Sequence, residues 1–212
     1  MSAPTINIEE NKKLFLDLVG SIERDGIKEL VAFLEKSDFF TAPASTRFHC
    51  SLPGGLALHS LNVYHMFEHK CKSEPFKSIL GDMPEDSRKI ITLLHDVCKT
   101  YMYEIDYRNK KIYSDTGSKR DEKGRFDWAA VEYYTINDRV PYGHGEKSVM
   151  MIEEYIKLQP FERYAIRWHM GFSEPKENWN TLGTAIEKYP VILALHPVSY
   201  THLRAHETEA DL

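Results

Sequence analysis

Cysteine is scarce in this sequence: three residues in 212, Cys50, Cys71 and Cys98, with no CxxC pair. That odd, scattered set argues against a disulfide framework and fits a reduced compartment. Long hydrophobic runs are missing too. No uncharged apolar stretch approaches the roughly 20 residues of a membrane span, and Met1 to Glu10 has neither the basic start nor the apolar stretch of a signal peptide. A cytoplasmic protein without a membrane partner is expected. Excess positive charge is absent: 27 basic against 32 acidic residues leave a formal charge of -5, so no global basic field draws in nucleic acid. The HExxH, P-loop and GxSxG signatures, internal repeats and low-complexity tracts are absent as well, and no obligate protein partner is evident.

What is present is ordinary globular material, 42% hydrophobic and 28% charged, enough for one compact domain. Asn7 with Glu10 three positions on reads as a helix start, followed by Phe15, Leu18, Val19 and Ile22 at helical spacing. Asp25 can cap a second helix carrying Ile27, Leu30, Val31 and Leu34. Residues 1–36 are thus expected to be packing helices. From Ser37 to Gly55, Pro43, Pro53, Gly54 and Gly55 break any period, and this loop contains Arg47, His49 and Cys50.

A helix from about Leu56 to Lys72 puts His59 on one stripe with Leu56, Val63 and Met66. His65 and His69 fall on its solvated face. A helix from Glu85 to about Tyr101 places Ile91, Leu94, His95 and Cys98 on its buried stripe, with Asp96 beside them. Cys98 reads as a packed small apolar residue. Tyr101 to Ser114, broken by Arg108-Asn109-Lys110, reads as a β-hairpin whose tyrosines occupy one face, and a short third strand is expected near Trp128 to Ile136. The charged stretch Asp115 to Arg125 reads as a mobile surface connection. Helices resume at about His144 to Lys157, Pro160 to His169 and Leu182 to Lys188, and Pro190 opens an apolar piece, Val191 to Leu195. The fold class expected is therefore all-α, a helical bundle with a small β-hairpin insertion at about 101–137.

Ten histidines are the compositional feature that carries chemistry. His59, the adjacent His95 and Asp96, His144 and His169 form an ordered series, each part expected on a different helix, so that they can converge in a bundle core. Imidazoles with a carboxylate suit iron, manganese, zinc or nickel.

This series resembles the HD superfamily of metal-dependent phosphohydrolases, named for the adjacent His and Asp. F-H-C-S-L-P-G-G-L-A-L-H-S-L-N-V, Phe48 to Val63, is similar to the first-histidine segment of the HD domain of bacterial 3′-to-5′ exoribonucleases. L-L-H-D-V-C-K, Leu93 to Lys99, resembles the HD-x-x-K block, and G-H-G-E-K-S and R-W-H-M-G supply the later histidines. The resemblance implies an HD domain over 37–196 with two divalent ions, among Mn, Fe, Ni, Zn and Mg. His59, His95 and Asp96 would hold one, and Asp96, His144 and His169 the other. It implies hydrolysis of a phosphoester, in a phosphorylated small molecule, nucleotide or oligonucleotide, by metal-activated water. Asp96 would bridge the ions or orient the nucleophile, and Lys99 would steady a phosphate oxygen. Arg47 and His49 are candidate substrate contacts. Two other readings stay open: a mixed-valent di-iron oxygenase of HD type, which uses the same ligands, and a non-catalytic metal- or nucleotide-binding module.

The end of the chain departs from the HD pattern. Residues from about Pro197, P-V-S-Y-T-H-L-R-A-H-E-T-E, resemble a translated sequencing-adapter read-through. Natural sequence is expected to stop near His196, with 197–212 replacing the last helix and its ligating Asp. Asp211 is too distant for that role, and the i, i+4 pair His202 and His206 is assigned no function.

Overall fold

The computed structural model describes residues 7–48 and 50–204, with side chains through 199. The expectations for His49, His202, His206 and Asp211 lie outside the described residues and side chains.

Helix α1, Ile8–Gly20, starts where the sequence places it: Asn7 Oδ1 accepts the Glu10 backbone N–H, and Asn7 Nδ2 donates to the Glu10 carboxylate. Phe15 and Val19 point inward, and Phe15 meets the rings of Phe39 and Phe40, from the turn that follows the second helix. Helix α2, Ile27–Lys36, is capped not by Asp25 but by Gly26 in the left-handed region, φ 85°. A Cβ there would sit 1.9 Å from the Tyr155 carbonyl oxygen, so close approach as well as conformation requires glycine.

Helix α3, Gly55–Cys71, which carries His59, is the centre of the bundle, packed on α5, Glu85–Leu93, and on α9, Val191–Arg204. A short helix α4, Phe76–Leu80, precedes α5, and α6, His144–Glu153, lies on α7, Pro160–Arg167. Helix α8, Trp179–Lys188, joins Trp168 and Ile192 in a small second cluster beside the main core. Arg24, after α1, reaches across to the fully buried Glu162 of α7 with two hydrogen bonds, of 2.9 and 2.7 Å. Among the described residues no helix is long and apolar enough to cross a membrane.

The all-α expectation is wrong. Strands β1, Tyr103–Tyr113, β2, Lys119–Asp121, and β3, Gly124–Ile136, form an antiparallel sheet in the order β1-β3-β2, and the fold is mixed α and β. The expected hairpin turn at Arg108-Asn109-Lys110 does not exist. Those residues lie mid-strand, in a register running from Tyr103 opposite Ile136 to Tyr113 opposite Phe126. The stretch read as a mobile connection contains β2 and pairs back onto β3. The reason is burial: nearly every residue of β1 is exposed, so neither face demands the apolar alternation that marks a half-buried strand. Polar residues then look like a turn.

Candidate metal centre

His59 sits on α3 among Leu56, Ala57 and Val63, and the same packing that buries those residues turns its ring into the bundle. His95 and Asp96 are not on a helix. α5 ends at Leu93, and the pair occupies the tight turn that leads into a 3₁₀ turn, Val97–Lys99. His169 likewise follows the end of α7 rather than belonging to it, whereas His144 is the first residue of α6. The ends of helices, more than their faces, supply this site.

These five side chains converge. Asp96 Oδ2 lies 3.3 Å from His59 Nε2 and 3.4 Å from His95 Nε2, and Oδ1 lies 2.8 Å from His144 Nε2 and 3.5 Å from His169 Nε2. His59 and His95 face each other across 3.2 Å between their Nε2 atoms. Two groups result, His59-His95-Asp96 and Asp96-His144-His169, each with its ligand atoms within 4.8 Å of one another. His59, His95, Asp96 and His169 are buried, while His144 keeps a partly open edge.

The donor set fits a cation. His95 Nδ1 is 2.7 Å from the Thr92 carbonyl and His169 Nδ1 is 2.6 Å from that of Ile166. A carbonyl can only accept, so each Nδ1 carries the proton and each Nε2 turns a lone pair inward. His169 Nε2 is buried without a hydrogen-bond partner. Lone pairs and a carboxylate aimed at common points are what metal ligation requires.

His144 has the opposite tautomer. Its Nε2–H donates to Asp96 Oδ1, and its Nδ1 lies 3.3 Å from Cys98 Sγ, which donates to it. Cys98 is buried as expected, but its contact with a candidate ligand is not legible in the sequence, because α6 and the 3₁₀ turn meet only in the fold. Ser148, one turn beyond His144, accepts from the Cys98 backbone N–H at 3.2 Å and secures that meeting.

Electrostatics follow the geometry. Burial pushes His95 well below its ordinary value and also lowers His59 and His144, with Asp96 opposing in each case. Burial disfavours the Asp96 carboxylate, yet Lys99, His95 and the His144 hydrogen bond outweigh it and hold the group well below the usual carboxylate range. Lys99, also disfavoured by burial, is raised by Asp96. Burial, with Asp96 nearby, pushes the Cys98 thiol to about 12, so it stays protonated.

Lys99 Nζ stands 2.8 Å from Asp96 Oδ2, on the oxygen that faces His59 and His95. Arg47 is exposed, with its guanidinium 5.3 Å from the centroid of the Phe48 ring. It lines a cleft of about 530 Å³ with Thr46, Ser51, Pro53, Ile105 and Tyr134, between the loop before α3 and the sheet. Tyr103 lies near the centre: its hydroxyl donates to the Ala44 carbonyl at 3.1 Å, and burial, partly offset by Lys99, raises it to about 12.

Glycine sets the distance between two of the histidines. Gly145 follows His144 and lies against the backbone of Arg167, two residues before His169; a Cβ there would be 2.2 Å from the Arg167 carbonyl oxygen. Comparison with protein-family models, with curated proteins and with solved structures finds no match.

Proposed function

We propose that this chain is a metal-dependent phosphohydrolase of the HD type, acting on a phosphoester in a nucleotide or oligonucleotide, with the HD domain spanning 37–196. The observation that carries the reading is the division of one carboxylate between two imidazole pairs: Asp96 Oδ2 toward His59 and His95, Oδ1 toward His144 and His169. Divalent ions at those two groups would lower the pKa of water and neutralise charge on phosphoryl oxygens.

The chain's own residues then have distinct tasks. His95 and His169 present fixed lone pairs, because their Nδ1 protons are committed to the Thr92 and Ile166 carbonyls. His144 has to move its proton from Nε2 to Nδ1 before it can ligate, and Cys98 Sγ is placed to accept that proton's hydrogen bond. Lys99, 2.8 Å from Asp96 Oδ2, would place its ammonium to hold a phosphate oxygen beside the His59-His95-Asp96 group. Arg47, on the rim of the cleft before α3, supplies a second positive group, and Tyr134 and Ile105 offer apolar surface for a base.

The test is metal content and turnover measured together. The protein is loaded separately with Mn, Fe, Ni, Zn or Mg and assayed, with and without oxygen, on a chromogenic phosphodiester and a short oligonucleotide. Metal-dependent phosphoester cleavage that survives anaerobic conditions, with two ions per chain falling to one in His144→Ala, supports the proposal. Binding without turnover under any ion would point to a binding module. Oxygen consumption without hydrolysis would point to the oxygenase.

A further inference from the structure

The outer edge of β1 is an open, self-complementary pairing edge, and we propose that two copies of this chain dimerise by antiparallel β1 to β1 pairing about a two-fold axis at Tyr107. The strand's orientation follows from the bonds at its two ends. The Met102 carbonyl accepts from Asn137 N–H, and Ser114 N–H donates to the Arg125 carbonyl, so even-numbered residues direct their backbone groups at β3. In an antiparallel strand the alternate residues then direct theirs away. Tyr103, Ile105, Tyr107, Asn109 and Lys111 therefore carry outward N–H and C=O groups. Among the described residues, β1 is a terminal strand of the sheet, and the Tyr107 N–H is met at 2.7 Å by the carboxylate of its own neighbour, Asp106.

Such an edge invites another strand, and natural proteins guard it with charges of one sign, with proline or with a covering loop. This edge carries a different pattern. Residues 104–110 are exposed throughout, acidic in the first half at Glu104 and Asp106, basic in the second at Arg108 and Lys110. When the strand is laid antiparallel against itself with Tyr107 opposite Tyr107, Glu104 falls opposite Lys110 and Asp106 opposite Arg108, each twice by symmetry. All four pairs occupy the positions where facing side chains come closest, because the outward-bonding odd residues make the hydrogen-bonded pairs. Slipping by two residues sets Arg108 against Arg108 in one direction and Asp106 against Asp106 in the other. One register alone sets Glu104, Asp106, Arg108 and Lys110 each opposite a residue of the other sign.

The experiment is sedimentation velocity of the full chain and two charge variants, with circular dichroism to establish that each is folded. Wild type is expected at twice the chain mass. Glu104→Lys with Asp106→Arg makes the edge wholly basic, and Arg108→Asp with Lys110→Glu makes it wholly acidic. Each variant alone is expected to be monomeric, and an equimolar mixture is expected to recover the dimer mass, because opposite edges restore all four pairs. A monomeric wild type overturns the proposal. So do variants that remain dimeric alone, or a mixture that stays monomeric.

Discussion

His95 and His169 are held by the same device: each stands two residues past the end of a short helix, α5 or α7, and donates its Nδ1 proton to the carbonyl three residues back, Thr92 or Ile166. Helix ends leave carbonyls without intrahelical partners, and here an imidazole fills that role. One contact both finishes the helix and orients the imidazole. In metal-free protein, nitrogen-15 NMR should therefore find the Nδ1–H tautomer at both residues and the Nε2–H tautomer at His144. An Nε2–H form at His95 or His169 contradicts the arrangement.

Lys99 occupies the oxygen that a cation at His59 and His95 would share. Replacing it with methionine removes a like charge while keeping most of the packing. Lys99→Met should tighten the first ion while slowing phosphoester cleavage, a divergence that equilibrium dialysis and initial rates would reveal. Weaker binding would show that the ammonium supports the metal rather than competing with it.

Asp96 is the group every other depends on. Asp96→Ala should abolish both ions and leave the largely buried Lys99 ammonium without its carboxylate, at a cost of about 3 kcal/mol in the metal-free protein. Chemical denaturation measures that loss. Lys99→Met in the same chain should recover much of it, since the stranded charge is then gone.

Cys98 should matter to the second ion more than to the first. Removing a partner that orients a metal-ligating histidine typically weakens binding by about ten- to a hundredfold. Cys98→Ala is expected to lose affinity on that scale at the His144-His169 group, with Cys98→Ser restoring part of it because a hydroxyl can also accept. The ligand-field spectrum of cobalt-loaded protein would report the change at that site.

The buried imidazoles set the pH response of the metal-free protein. Burial depresses His59, His95 and His144 below the 6.5 of an unconstrained imidazole, so the unfolded chain binds more protons than the folded one just below that pH. Stability is fully present above 6.5 and falls as pH drops through it. The Asp96 contribution persists to lower pH, being lost only below the ordinary carboxylate value of 3.8. Thermal melts from neutral to acid pH should show the imidazole step first, and a flat profile between neutrality and about pH 5 would be inconsistent with neutral buried rings.

The residues of the centre were legible in the sequence, because His59, His95, Asp96, His144 and His169 recur among apolar positions and in local segments of recognisable type. Their support was not. A helical period carried past Leu93 puts His95 and Asp96 on a helix face, but the chain turns there, since the His95 ring takes the Thr92 carbonyl. The sheet was misread for the converse reason. Arg108, Asn109 and Lys110 are strand residues with solvent on both sides, and periodicity registers only the sides that are buried. Cys98 and His144 are 46 positions apart, and nothing local to either announces the other.

Gly145 gives the centre its gauge. With no side chain on Gly145, α6 and the Arg167 backbone approach so closely that a Cβ there would meet the Arg167 carbonyl oxygen at 2.2 Å. A single methyl group would act as a wedge, pushing α6 and the His144 at its start away from the segment that carries His169. The span available to a cation is thus written in an omission, and mutational searches confined to nitrogen- and oxygen-bearing side chains would pass over the position that calibrates them.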